Sequence, residues 1–101
     1  MVFSDMVMTT FEWDFAKNIE NLRKHDVSFA EAQFAFADAK RVIAEDLDHS
    51  SKEERYFCFG RVDRGVLTVR FKYRGGVIRI FGAGFWRKGK AIHDRENKVH
   101  E

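Results

Sequence analysis

Five cations, Arg61, Arg70, Lys72, Arg74 and Arg79, fall where apolar and polar residues alternate, with Tyr73, Phe81 and Trp86 interleaved among them. Guanidinium and ammonium groups pair with phosphate oxygens, and rings stack on splayed bases, so the combination suits a single-stranded nucleic acid, RNA above all. Arg79 stands apart. It lies between Ile78 and Ile80, in what reads as an interior strand, where a charge is costly unless it meets a carboxylate such as Glu54 or a ligand phosphate. A polar stretch, Asp46-Leu47-Asp48-His49 followed by Glu53-Glu54, brings carboxylates and an imidazole close together. Such groups hold metals or move protons. Their spacing matches no metal signature, and a loop rich in Asp and Ser has this composition by default. Proton exchange between His49 or Glu54 and a ribose 2′-OH is the better use, with no metal and no cofactor.

Other chemistries fit poorly. Gly82-Ala83-Gly84 follows a strand but lacks the spacing and the lysine–serine ending of a phosphate loop. Cys58 sits mid-strand among apolar neighbours, which suits packing rather than nucleophilic attack. As the single cysteine it allows no intrachain disulfide, and a reducing cytoplasm fits. His25, His93 and His100 read as surface residues. Met1 to Thr10 has neither a basic leader nor a long apolar run, so it is neither a signal peptide nor a membrane span. Met8 is an alternative start, which would make Met1–Val7 a loose extension.

Charge is sorted along the chain: residues 1–54 carry 12 Asp/Glu against 6 Lys/Arg, and residues 55–101 carry 12 Lys/Arg against 4 Asp/Glu. In 101 residues, one domain's worth, this split makes an acidic end and a basic face on one body. The expected division is a loose extension over 1–10, a core over 11–82 and a C-terminal helix over 83–101.

The positioning elements are set by period and caps. Phe11-Glu12-Trp13 alternates as a short strand. Asp14 caps a helix ending near His25 whose apolar residues Phe15, Ile19 and Leu22 form a stripe expected to be buried. Ser28-Phe29-Ala30-Glu31 is a capping box that opens a second helix with Phe29, Ala32 and Phe36 inward. Arg41–Glu45 is β-prone, 46–53 is a loop, and Tyr56–Arg61, Val66–Tyr73 and Val77–Phe81 form an antiparallel meander. Gly82-Ala83-Gly84 is expected to break the sheet before a weakly amphipathic helix from Phe85. The expectation is an α+β domain whose two N-terminal helices cover the apolar face of an antiparallel sheet and leave the basic face open.

The order of motifs also resembles a known family. Phe11-Glu12-Trp13-Asp14 with Lys17, then Asn21-Leu22-Arg23-Lys24-His25 and Val27-Ser28-Phe29 with Glu31-Ala32, resembles the opening of the BrnT-type toxins of bacterial type II toxin–antitoxin systems. Asp48-His49-Ser50, Glu53-Glu54-Arg55, Gly60-Arg61 and Ile78-Arg79-Ile80 come next in the family's order. The resemblance implies a RelE-like α+β ribonuclease that cuts RNA without metal, inhibits translation and growth, and is neutralised by a DNA-binding antitoxin. An antitoxin dimer would make the complex a heterotetramer. It implies charge stabilisation by Arg79 and Arg61, proton transfer by His49 or Glu54, and RNA contacts from Trp13, Lys17, Arg55, Arg70, Lys72, Arg87 and Lys88. Trp13 fits a core position equally well, and Lys17 a solvated helix face. Many members continue the last strand with Ser-Ala-Arg, whereas this chain has Gly82-Ala83-Gly84, so the resemblance places an arginine where Gly84 stands. Arg87 or Lys88 would then supply the charge. Otherwise the chain is a weak or inactive homologue that serves as an antitoxin-binding module in repression of its own operon.

Overall fold

A computed structural model describes residues 9–98, so the extension expected over 1–10 lies almost wholly outside the described residues. The chain runs β1 (Phe11–Trp13), α1 (Phe15–His25), α2 (Phe29–Ala32) continuing as a 3₁₀ turn (Gln33–Ala37), and β2 (Val42–Glu45). A 3₁₀ turn (Leu47–His49), β3 (Tyr56–Val62), β4 (Gly65–Arg74), β5 (Val77–Gly84) and α3 (Arg87–Glu96) complete it. Both N-caps read from the sequence are formed: the Asp14 carboxylate accepts from the Lys17 amide and the Ser28 hydroxyl from the Glu31 amide, each at 3.0 Å. The Glu31 carboxylate does not complete its capping box; it accepts from Arg64 instead, at 2.6 Å.

The five strands form one sheet in the order β1-β5-β4-β3-β2. It is mixed rather than antiparallel, because β1 joins β5 in parallel, with Glu12 opposite Arg79. Neither does the sheet break at Gly82. The β4–β5 register shifts between Arg70 and Phe71, which leaves Phe81 as the extra residue of a bulge. That insertion reverses the facing of the rest of β5, so Ala83 joins Ile78 and Ile80 in the core while Gly82 and Gly84 turn outward with Arg79. α3 accordingly starts at Arg87, later than Phe85.

α2 and the 3₁₀ turn pack on the apolar face, where Phe29, Leu67, Val69 and Phe71 are fully buried, while α1 lies along the edge of β5. The expected stripe of α1 faces the other way: Phe15 is 75%, Ile19 48% and Leu22 43% exposed, and the buried residue of the helix is Asn21. α1 lies against backbone, not against a bed of side chains, and a polar amide serves that contact. Asn21 donates to the Val27 and Ala83 carbonyls at 2.9 Å and accepts from the Ala83 amide at 3.2 Å. The opposite face is not fully open either. α3 crosses β4, β3 and β2, with Gly89 so near Thr68 and Phe59 that a Cβ would collide with the threonine hydroxyl.

His93, expected at the surface, is the buried anchor of α3, its Nε2 2.8 Å from the Asp38 carboxylate. Asp38 also accepts from the Lys40 and Arg61 amides at 2.8 and 2.7 Å. Burial alone would raise this carboxyl, but the two amides and His93 outweigh it and hold it below the ordinary carboxylate range. Its stabilisation is therefore full above about pH 4 and lost as acid protonates it. Asp38→Asn should lower stability by about 1–3 kcal/mol in urea unfolding at neutral pH and flatten the acid limb of the stability profile. Asn21→Ala, which strands three backbone groups, is expected to cost at least as much in the same measurement.

Candidate nucleic-acid interface

Alternation along the strands sends Arg79 of β5, with Arg70, Lys72 and Arg74 of β4, to the face opposite the core. Arg79 is still only 25% exposed at its side chain, because its neighbours crowd it. Its Nη1 lies 3.1 Å from the Glu12 carboxylate, which Arg74 also approaches at 3.9 Å. Next to them Lys72 donates to Glu53 at 2.6 Å, and Arg55 stands 3.7 Å from the same carboxylate. The Lys72 hydrogen bond holds Glu53 below its usual range against the opposing effect of desolvation. Lys17, Arg55, Lys72 and Arg79, with Asp14 and the ring of Phe81, line a concavity of about 50 Å³.

Phe81, on the outward face with Arg79, is flanked by two guanidiniums, Arg55 at 4.8 Å and Arg70 at 5.2 Å from its centroid. Cation–π contact keeps both charges close to the sheet without neutralising them. The cations outnumber Glu12, Glu53 and Asp14, so the surface attracts anions, and its acids hold the cations in place.

The family model described as "Ribonuclease toxin, BrnT, of type II toxin-antitoxin system" matches residues 13–89. The chain belongs to the BrnT family. No curated protein matches it. Membership in this ribonuclease-toxin family implies an RNA target and an antitoxin partner, and the matched span contains every cation of the concavity. Among the described residues no helix is long and apolar enough to cross a membrane, and no three His, Cys, Asp or Glu side chains group as metal ligands.

The residues singled out in the sequence divide into those gathered on this surface and those held elsewhere. Lys17, Arg55, Lys72 and Arg79 share the concavity, and Arg70 borders it through Phe81. Trp13 turns to the core side, edge-on to Phe29 at 6.2 Å. Arg61 pairs with Val66 while Arg79 pairs with Lys72, which sets them about 20 Å apart along β4 at 3.4 Å per residue. His49 and Glu54 belong to the loop that delivers Glu53 to Lys72, but neither lines the concavity. His49 places Nδ1 2.9 Å from the buried Asp46 carboxylate, and Glu54 accepts from the Tyr56 hydroxyl at 2.6 Å, pushing that phenol up to about 12. Arg87 is exposed at the start of α3, and Lys88 lines an apolar groove between α3 and β2–β3. Burial pushes the Cys58 thiol up to about 12, as inert packing requires.

The sequence singles out Glu53, but neither its pairing with Lys72 nor that of Glu12 with Arg79 is legible there. Glu12 was visible as the outward residue of an alternating strand, but its meeting with Arg79 depends on a parallel pairing across 67 residues of chain. Glu12→Gln should leave Arg79 and Arg74 without their counter-charge. Its affinity for a short single-stranded RNA at low salt is expected to rise several-fold, measured by fluorescence polarisation, and the gain should shrink as salt is added.

Proposed function

We propose that this chain is an endoribonuclease toxin that cuts RNA without a metal ion, inhibiting translation and arresting growth in the cytoplasm. The reading rests on the concavity in which Lys17, Arg55, Lys72 and Arg79 converge beside an aromatic ring. A phosphodiester seated there exchanges its own charge for that of Glu12 and Glu53. Attack by the ribose 2′-OH forms the new O–P bond and breaks the bond to the 5′-oxygen, leaving a 2′,3′-cyclic phosphate. Charge grows on the non-bridging oxygens as this happens, and Arg79 stabilises it.

His49 takes the 2′-OH proton. Its Nδ1 is engaged by Asp46, which favours the tautomer whose Nε2 is a free acceptor, whereas Glu54 is committed to Tyr56. The departing 5′-oxygen recovers a proton from the imidazolium or from water. The role of the loop is to bring His49 up to RNA that has displaced Glu53 from Lys72. Arg61, about 20 Å along the sheet and beyond α3, takes no part at the scissile phosphate. The neutralising partner is a DNA-binding antitoxin, and a dimer of it binding two toxins gives a heterotetramer.

The test is cleavage of single-stranded RNA by the purified protein in excess chelator. Arg79→Ala is expected to lower the rate by about 10²–10³ and His49→Ala by about 10²–10⁴, each with an unfolding midpoint close to the parent's. Cleavage that vanishes with chelation, or that survives in Arg79→Ala, removes this mechanism.

A further inference from the structure

Beside the Arg79 concavity lies a second one of about 310 Å³, at the small end of sites that hold small molecules. Its lining includes Gly82 and Trp86, and Lys17, Lys24 and Arg70 give it positive charge. Lys17 and Phe81 line both concavities, so the two adjoin. The acid present, Glu20, already binds Arg23 at 2.6 Å and Lys24 at 3.3 Å.

Trp86 is packed on one side while remaining 38% exposed. Its six-membered ring lies on bare Gly84, where a Cβ would come within 2.4–2.7 Å of three ring atoms, and His25 meets it edge-on at 5.2 Å. A partly exposed indole beside three cations is suited to stacking a base whose phosphate the cations hold. We infer that this second concavity is a nucleotide subsite, in which Trp86 stacks one base of the RNA whose phosphate lies at Arg79. The inference rests on the ribonuclease reading above. Asn21, which also lines it, has both amide protons and its carbonyl engaged by backbone. Recognition at this end is therefore by stacking and charge, and the four bases are poorly distinguished.

A 2′-O-methylated oligonucleotide, which lacks the attacking hydroxyl, carrying 5-iodouridine would be irradiated with the unaltered protein and the adducts mapped by mass spectrometry. Adducts at Trp86 are expected. Trp86→Ala should weaken binding of the same oligonucleotide by tenfold or more, while binding of inorganic polyphosphate, which has phosphates and no bases, stays unchanged. Adducts confined to other residues, or an unchanged RNA affinity in Trp86→Ala, overturn the subsite. If Arg79→Ala still abolishes cleavage in that case, the ribonuclease reading stands without it. Loss of antitoxin binding in Trp86→Ala with RNA affinity intact gives the indole to the protein partner and likewise overturns the subsite. Failure of the unaltered protein to bind the oligonucleotide removes both.

Discussion

The fold's working surface depends on one side-chain amide. Asn21 is the buried residue of α1, and its three hydrogen bonds tie that helix both to the turn before α2 and to Ala83 near the end of β5. A buried amide with every hydrogen bond made fixes a geometry more sharply than apolar contact, because sliding by one residue leaves backbone groups unpaired. The registration decides where Lys17 and Lys24 stand relative to Arg70 and Gly82. With a leucine in its place the helix could still pack, but its cations would have no defined position over the sheet.

The charges of this surface are arranged for exchange. Each cation that faces the concavity from the sheet has a carboxylate in reach: Glu12 for Arg79, Glu53 for Lys72 and Arg55. The acids come from β1 and from the 46–54 loop, at the margins of the cationic strands, so an incoming phosphate can take their place without moving the sheet. Two guanidiniums resting on Phe81 add charge that no carboxylate quenches fully. α3 divides the same face in two, covering the end built from Phe57, Phe59 and Thr68 and leaving the Arg79 end uncovered.

What could be read from the sequence was what is decided locally. The caps at Asp14 and Ser28, the alternation in β4 and the inward Phe29, Ala32 and Phe36 each depend on a few neighbouring residues. The stripe Phe15, Ile19 and Leu22 has correct helical spacing and the wrong destination, because period reports that residues share a side and not what that side meets. The parallel β1–β5 pairing, the burial of His93 on Asp38 and the passage of α3 across the sheet all join distant parts of the chain. The bulge at Phe81 escaped for another reason. Two glycines after a strand read as an ending, whereas here they are the flat outer side of a strand that continues. For the site, the cations were identifiable as a group, but Arg61, Trp13 and the two acids could be sorted only with the register in hand.

Gly84 and Trp86 occupy one volume between them. The indole rests where any substituent on residue 84 would project, so a side chain at the first position obliges the ring at the second to shift. The two positions therefore constrain each other: an arginine at 84 goes with a moved or smaller residue at 86.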